Sequence, residues 1–93
     1  MNRILIIDDH MAIGKMIQRK LESVGFEVSV TSDIHEGIKW ASRTETDLVL
    51  LDHMMPGMDG LEVFNQIRKA YTHPPPVVMM AAFSSMHLAV GFM

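Results

Sequence analysis

Acidic side chains follow two apolar segments of this 93-residue sequence, at the point where each segment ends. Asp8 and Asp9 come directly after residues 3–7, and Asp52 ends the run LVLLD, before a turn rich in proline and glycine. If the two segments are neighbouring strands, three carboxylates meet at one end of a sheet, and either protonation or a bound cation must relieve their repulsion. A cation is the simpler solution. Because the ligands are oxygens and the chain has no cysteine, the sequence predicts a hard ion, with Mg²⁺ as the first choice. Such a site is suited to phosphoryl chemistry.

Each of these aspartates also has an ordinary structural interpretation. Asp8 or Asp9 could cap the helix that follows, and aspartates are common in the loops after strands. The combination is more specific than any single residue, since two adjacent acids follow one strand and a third ends another. The pattern therefore favours a shared site, and leaves open that one residue of the pair serves both purposes.

The five histidines of the chain do not form a recognisable metal motif. None of them stands in an HxxxH or HExxH pattern, which argues against a zinc site. His10 and His53 directly follow the acidic residues, so we place them beside the site and interpret both as bystanders rather than ligands. The more specific alternative to a bystander role is that His53 influences access to the neighbouring carboxylate.

The hydrophobic periodicity of the chain predicts four short strands that alternate with four helices. The strands are predicted at residues 3–7, 26–30, 47–51 and 77–81, and the helices at residues 11–24 and after Asp33, Asp59 and Ser84 or Ser85. Such alternation predicts an α/β fold with a doubly wound parallel sheet and helices on both faces. Ligands of these sheets bind beyond the carboxyl ends of the strands, where the acidic residues are expected.

The composition limits the function classes that the chain can belong to. It is 48% hydrophobic and 20% charged, which predicts one globular domain over residues 1–93. A net charge of −3 gives no reason to expect direct nucleic-acid binding. The longest apolar run, residues 77–83, is far shorter than the ~18 residues of a membrane span, and the N-terminus lacks the core of a signal peptide. We therefore expect a soluble, cytoplasmic protein with no membrane contact.

Two segments of the sequence, ILIIDDH and DLVLLDHMMPGMDGLEVFNQIR, resemble the receiver domain of bacterial two-component response regulators. The resemblance runs through all 93 residues. It implies a flavodoxin-like sheet, with strand order 2-1-3-4 in this chain and a fifth strand that is missing or supplied by another chain. It also implies that Asp52 is the phosphoacceptor, that Asp8, Asp9 and Asp52 hold Mg²⁺, and that the backbone carbonyl of Met54 completes the metal site.

The sequence departs from the family pattern at two places. Ala81 stands where the family usually has a threonine or serine, whose hydroxyl binds a phosphoryl oxygen, and alanine has no such group. The sequence also stops at Met93, before the family's fifth strand and the lysine that pairs with the phosphoryl group, so we expect an incomplete domain. Strand four would then be an apolar sheet edge, which predicts a homodimer through that edge or through an exchanged C-terminal segment.

The resemblance implies phosphorelay signalling as the function. Asp52 would accept a phosphoryl group from a sensor histidine kinase or a phosphotransfer protein, with Mg²⁺ as the cofactor, and so regulate a downstream output. Such a protein is a signalling phosphoacceptor rather than an enzyme, since the only reaction takes place on its own residue. The alternative is a receiver-like interaction or dimerisation module that does not switch by phosphorylation. Ala81 and the absent lysine favour the alternative, and the three acids favour phosphorelay.

Overall fold

The computed structural model of the protein describes residues 2–43, 46–52, 54–55, 58–70 and 73–80. Within these residues the chain forms six strands and three helices, namely β1 Arg3–Ile7, α1 Met11–Glu22, β2 Glu27–Thr31, α2 Ile34–Arg43, β3 Leu48–Asp52, β4 Met54–Met55, β5 Met58–Asp59, α3 Gly60–Ala70 and β6 Val77–Met80. The four longer strands make one parallel sheet in the order β2-β1-β3-β6, and β4 and β5 form a separate antiparallel pair. This is the predicted flavodoxin-like α/β arrangement, with β6 as the fourth strand of the sheet.

The predicted boundaries differ from the observed ones by one or two residues. β2 and β3 each begin and end one residue later than predicted, so that Asp52 belongs to the ladder and pairs with Met80. Helix α1 ends at Glu22 rather than at residue 24, and the chain leaves the helix through Gly25, whose φ of 104° is a left-handed conformation that suits glycine. The predicted fourth helix and Ala81 lie outside the described residues.

Two short strands that were not predicted flank Pro56 and Gly57 of the predicted turn, and these two residues lie outside the described residues. The backbone forms the short pair β4–β5, with Met54 opposite Asp59 and Met55 opposite Met58. A two-residue strand is too short to show a hydrophobic period, and proline and glycine mask it further. The pair connects the end of β3 directly to the first residue of α3.

The core lies on both faces of the sheet because alternate residues of β1 face opposite sides. Leu5 and Ile7 belong to a buried cluster with residues of β3, α3 and β6, whereas Ile4 and Ile6 belong to a second cluster on the other face. Residues of α2 pack against the first cluster, Trp40 among them. No helix in the described part of the chain is long and apolar enough to cross a membrane.

Helix α2 begins with half of a capping box. Asp33 Oδ1 accepts a hydrogen bond of 2.9 Å from the backbone N–H of Glu36, as expected for an N-cap residue. The Glu36 carboxylate accepts a hydrogen bond of 3.1 Å from the Thr31 hydroxyl, at the end of β2. Glu36 therefore ties the first turn of α2 to the carboxyl end of the sheet.

Candidate metal centre

The sheet register places the carboxyl ends of β1 and β3 side by side. Ile7 is paired with Leu51, so the residues that follow them, Asp8 and Asp52, lie side by side at the carboxyl end of the sheet. The backbone N–H of Asp8 donates a hydrogen bond of 3.0 Å to the Thr31 carbonyl and extends the β1–β2 ladder by one residue. Asp8 and Asp52 are only 1% and 3% exposed, whereas Asp9 is partly accessible.

The structure brings Asp8, Asp9 and Asp52 together with a fourth residue, His10. One ligand atom of each of the four lies within 4.8 Å of all the others. His10 Nδ1 is 3.2 Å from Asp9 Oδ1, 3.6 Å from Asp8 Oδ1 and 3.7 Å from Asp52 Oδ2. A single imidazole nitrogen therefore faces all three carboxylates, and His10 lies beside the site, as predicted.

A local turn, rather than the helix, holds His10 in this position. Asp8 Oδ1 accepts a hydrogen bond of 2.8 Å from the backbone N–H of His10. The His10 carbonyl accepts bonds of 3.0 Å from the N–H groups of Ile13 and Gly14, which makes His10 the N-cap residue of α1, although its side chain makes no capping bond. Asp8 is therefore not the N-cap residue of α1, and its carboxylate instead fixes the turn that aims the imidazole at the cluster.

The donor set of the cluster fits a hard divalent cation. Asp9 Oδ1 and Asp52 Oδ2 are buried oxygens that accept no hydrogen bond, although Asp52 has other contacts. Buried oxygens without donors are costly, and three neighbouring carboxylates repel one another, so a cation at this point would relieve both effects. Carboxylate oxygens are the ligands that Mg²⁺ prefers in proteins.

The comparison with known proteins agrees with the fold. The family model described as the response regulator receiver domain matches residues 4–93. The chain belongs to the response regulator receiver family. The alkaline phosphatase synthesis transcriptional regulatory protein PhoP of Bacillus subtilis is 37% identical over 79 residues, which are 85% of this chain and 33% of PhoP. The receiver spans about a third of the length of the curated relatives that it matches.

Solved receivers share the architecture. TrrA of Thermotoga maritima, in complex with Mg²⁺–BeF, is 34% identical with a TM-score of 0.80, over 90% of this chain and 72% of TrrA. A structure of the histidine kinase ThkA in complex with TrrA gives the same identity and TM-score, over 91% of this chain and 72% of the matched chain. These similarities identify our chain as a receiver domain of the two-component response regulators.

Of three further residues with predicted roles, only Met54 lies within the described residues of this receiver. Met54 opens β4, two residues after Asp52, and its backbone pairs with Asp59. Ala81 follows the last described residue of β6, and both Ala81 and His53 lie outside the described residues. The contacts of His10 with all three carboxylates were not predicted, and the one available signal for them was its position directly after the acidic pair.

Proposed function

We propose that residues 1–93 form one receiver domain that accepts a phosphoryl group on Asp52 in the presence of Mg²⁺, within a phosphorelay that regulates a downstream output. The observation that carries the proposal is the convergence of Asp8, Asp9 and Asp52 at the carboxyl ends of two adjacent strands. The complexes of the related TrrA with Mg²⁺–BeF and with the histidine kinase ThkA support the choice of metal and of partner class. A histidine kinase or a phosphotransfer protein would be the donor.

The chemistry of the proposal follows from the carboxylates. Asp8, Asp9 and Asp52, together with the backbone carbonyl of Met54, would hold Mg²⁺. The bound ion would offset the negative charges of the carboxylate and of the incoming phosphoryl group. A carboxylate oxygen of Asp52 attacks phosphorus, and the new O–P bond forms as the P–N bond of the donor phosphohistidine breaks and its imidazole leaves with the electron pair. The product is an acyl phosphate on the chain itself, which is why we class the protein as a signalling phosphoacceptor.

The direct test is the intact mass of the protein after incubation with a small phosphodonor. With Mg²⁺ we expect the addition of one phosphoryl group, and with EDTA in place of Mg²⁺ we expect none, because the three carboxylates would then repel the anionic donor. Circular dichroism of the same samples controls for folding. An unmodified mass in Mg²⁺, with the fold intact, would contradict phosphoacceptance and favour the second candidate function.

The second candidate is an interaction module that dimerises through β6. Within the described residues, β6 pairs only with β3, although its side chains are the apolar series VVMM. An apolar edge strand is a template for pairing with another chain. We expect a dimer at micromolar concentration by light scattering coupled to size exclusion. A constant monomer mass over a wide concentration range would count against this candidate and would leave phosphoacceptance untouched.

A further inference from the structure

We propose that His10 makes the acidic cluster a binding site for a divalent ion of intermediate softness, preferably Zn²⁺. The ligands would be Asp8, Asp9, Asp52 and His10. The inference rests on the site of the proposed function, because it uses the same three carboxylates. It does not require phosphoryl transfer to occur. A pattern such as HxxxH is absent because the ligands come from three consecutive residues and from a neighbouring strand.

The distances around His10 resemble those of a four-coordinate set. Zinc lies about 2.0 Å from carboxylate oxygen and imidazole nitrogen, so neighbouring ligands of a tetrahedral ion are about 3.3 Å apart. The three separations from His10 Nδ1 are 3.2, 3.6 and 3.7 Å. Adjacent ligands of octahedral Mg²⁺ would be closer, about 3.0 Å apart. All four ligand atoms lie within 4.8 Å of one another, so side-chain rotations that shorten the longest separations by up to about 1.5 Å would bring all four residues onto one zinc ion.

The chemistry of the fourth ligand decides the metal preference. Imidazole nitrogen is a common ligand of Zn²⁺ and a poor one for Mg²⁺, which takes oxygen ligands and retains several waters. Asp9 Oδ1, the carboxylate oxygen nearest to His10 Nδ1, is buried and accepts no hydrogen bond, so it is available to a metal. His10 Nδ1 therefore adds a donor that favours zinc without adding one that magnesium would use.

Zinc bound in this way would compete with magnesium. Because Asp52 is one of its ligands, a zinc ion would engage the carboxylate that the proposed function uses as a nucleophile. The site would then have two states, one open to phosphoryl transfer with Mg²⁺ and one blocked by Zn²⁺. His10 would determine the zinc concentration at which the blocked state is reached.

The test compares the zinc and magnesium affinities of the wild-type chain with those of His10→Ala, by isothermal calorimetry. We expect His10→Ala to weaken Zn²⁺ binding at least about tenfold, since even the outer partners of metal ligands cost that much when removed. Mg²⁺ affinity should stay the same or rise. His35→Ala is the matched control, because His35 is an exposed histidine in the first turn of α2, and it should change neither affinity. Co²⁺ as a spectroscopic probe should give intense visible bands of tetrahedral geometry in the wild type and lose them in His10→Ala.

Two results of this comparison would contradict the zinc site. Equal zinc affinity in the wild type and in His10→Ala would overturn the inference, and so would an equal loss of both metals, which would indicate a structural role of His10. If His10→Ala does not fold, His10→Gln keeps the size of the side chain and replaces the imidazole by a weak zinc ligand. Failure of the proposed function would show differently, as an absence of Mg²⁺-dependent phosphoryl addition in the wild type, whatever the zinc result.

Discussion

The substitution Asp52→Asn is expected to abolish Mg²⁺-dependent phosphoryl incorporation into the chain. The amide has almost the same shape as the carboxylate but is not a nucleophile, and it brings no negative charge to the metal site. We expect the rate of incorporation to fall by more than about a thousandfold, the scale seen when a nucleophile is removed. The measurement is a time course of intact mass with a small phosphodonor and Mg²⁺.

The control for this experiment is the same chemical change at the other end of the same strand. Asp47 is exposed and precedes β3, and its carboxylate accepts a hydrogen bond of 2.8 Å from the Arg3 backbone, which an asparagine oxygen can also accept. We expect Asp47→Asn to incorporate a phosphoryl group as the wild type does. Wild-type incorporation by Asp52→Asn would place the acceptor on another residue and refute the assignment.

We expect Asp52→Asn to remain folded, so that its loss of incorporation reports on the chemistry of the site. Asp52 is 3% exposed and lies in a cluster with two other carboxylates. Replacing one of three mutually repelling charges by a neutral amide should leave the metal-free protein at least as stable as the wild type. Denaturation in urea with EDTA measures this directly, and a clearly less stable variant would show that the Asp52 charge is compensated by the surrounding protein.

The sequence predicts those parts of the structure that depend on periodic burial. Residues 4–7 are all apolar, which predicts a strand that is covered on both faces, and β1 spans Arg3–Ile7 and lies between two core clusters. The convergence of Asp8 and Asp52 then follows, because the carboxyl ends of parallel neighbours meet at one edge of the sheet. The one long-range contact that this step requires, the pairing of β1 with β3, was implied by the resemblance to receiver domains and is present in the sheet.

The unpredicted parts depend on single hydrogen bonds and on short backbone pairs. The position of the His10 ring follows from the bond between its backbone N–H and Asp8 Oδ1, for which the sequence offers several alternative turns. The β4–β5 pair has two residues in each strand, too few to produce a hydrophobic pattern. Both features surround the candidate metal centre, so the chemistry of the site is less predictable than the sheet that carries it.

The candidate metal centre lies directly beside the most buried part of the core, and Leu51→Ala tests whether the site depends on the packing of that core. Leu51 is 0% exposed, precedes Asp52 and pairs with Ile7 and Met79 on the two sides of β3. Removal of a buried leucine side chain leaves a cavity, and we expect the free energy of unfolding to fall by about 2–5 kcal/mol. Urea denaturation in metal-free buffer measures the change.

The matched control for Leu51→Ala is Leu61→Ala, the same deletion at a site that is 49% exposed in the first turn of α3. Little apolar surface is lost from the core there, and alanine is at least as good a helix former as leucine, so we expect a cost below about 1 kcal/mol. Equal costs for the two variants would mean that the core is not organised around β3 as the structure shows.

The core deletion should affect stability and leave the chemistry of the folded molecules unchanged. The backbone hydrogen bonds of β3 with β1 and β6 do not involve the Leu51 side chain, so they keep Asp52 beside Asp8 in any molecule that is folded. We therefore expect the rate of phosphoryl incorporation per folded Leu51→Ala molecule to stay within about twofold of the wild type, since uniform loss of stability acts through the folded fraction. The rate is measured at low temperature, where most of the variant is folded, and is corrected for the folded fraction from circular dichroism. A much lower rate in fully folded protein would show that side-chain packing under β3, and not the backbone ladder alone, positions the acceptor carboxylate.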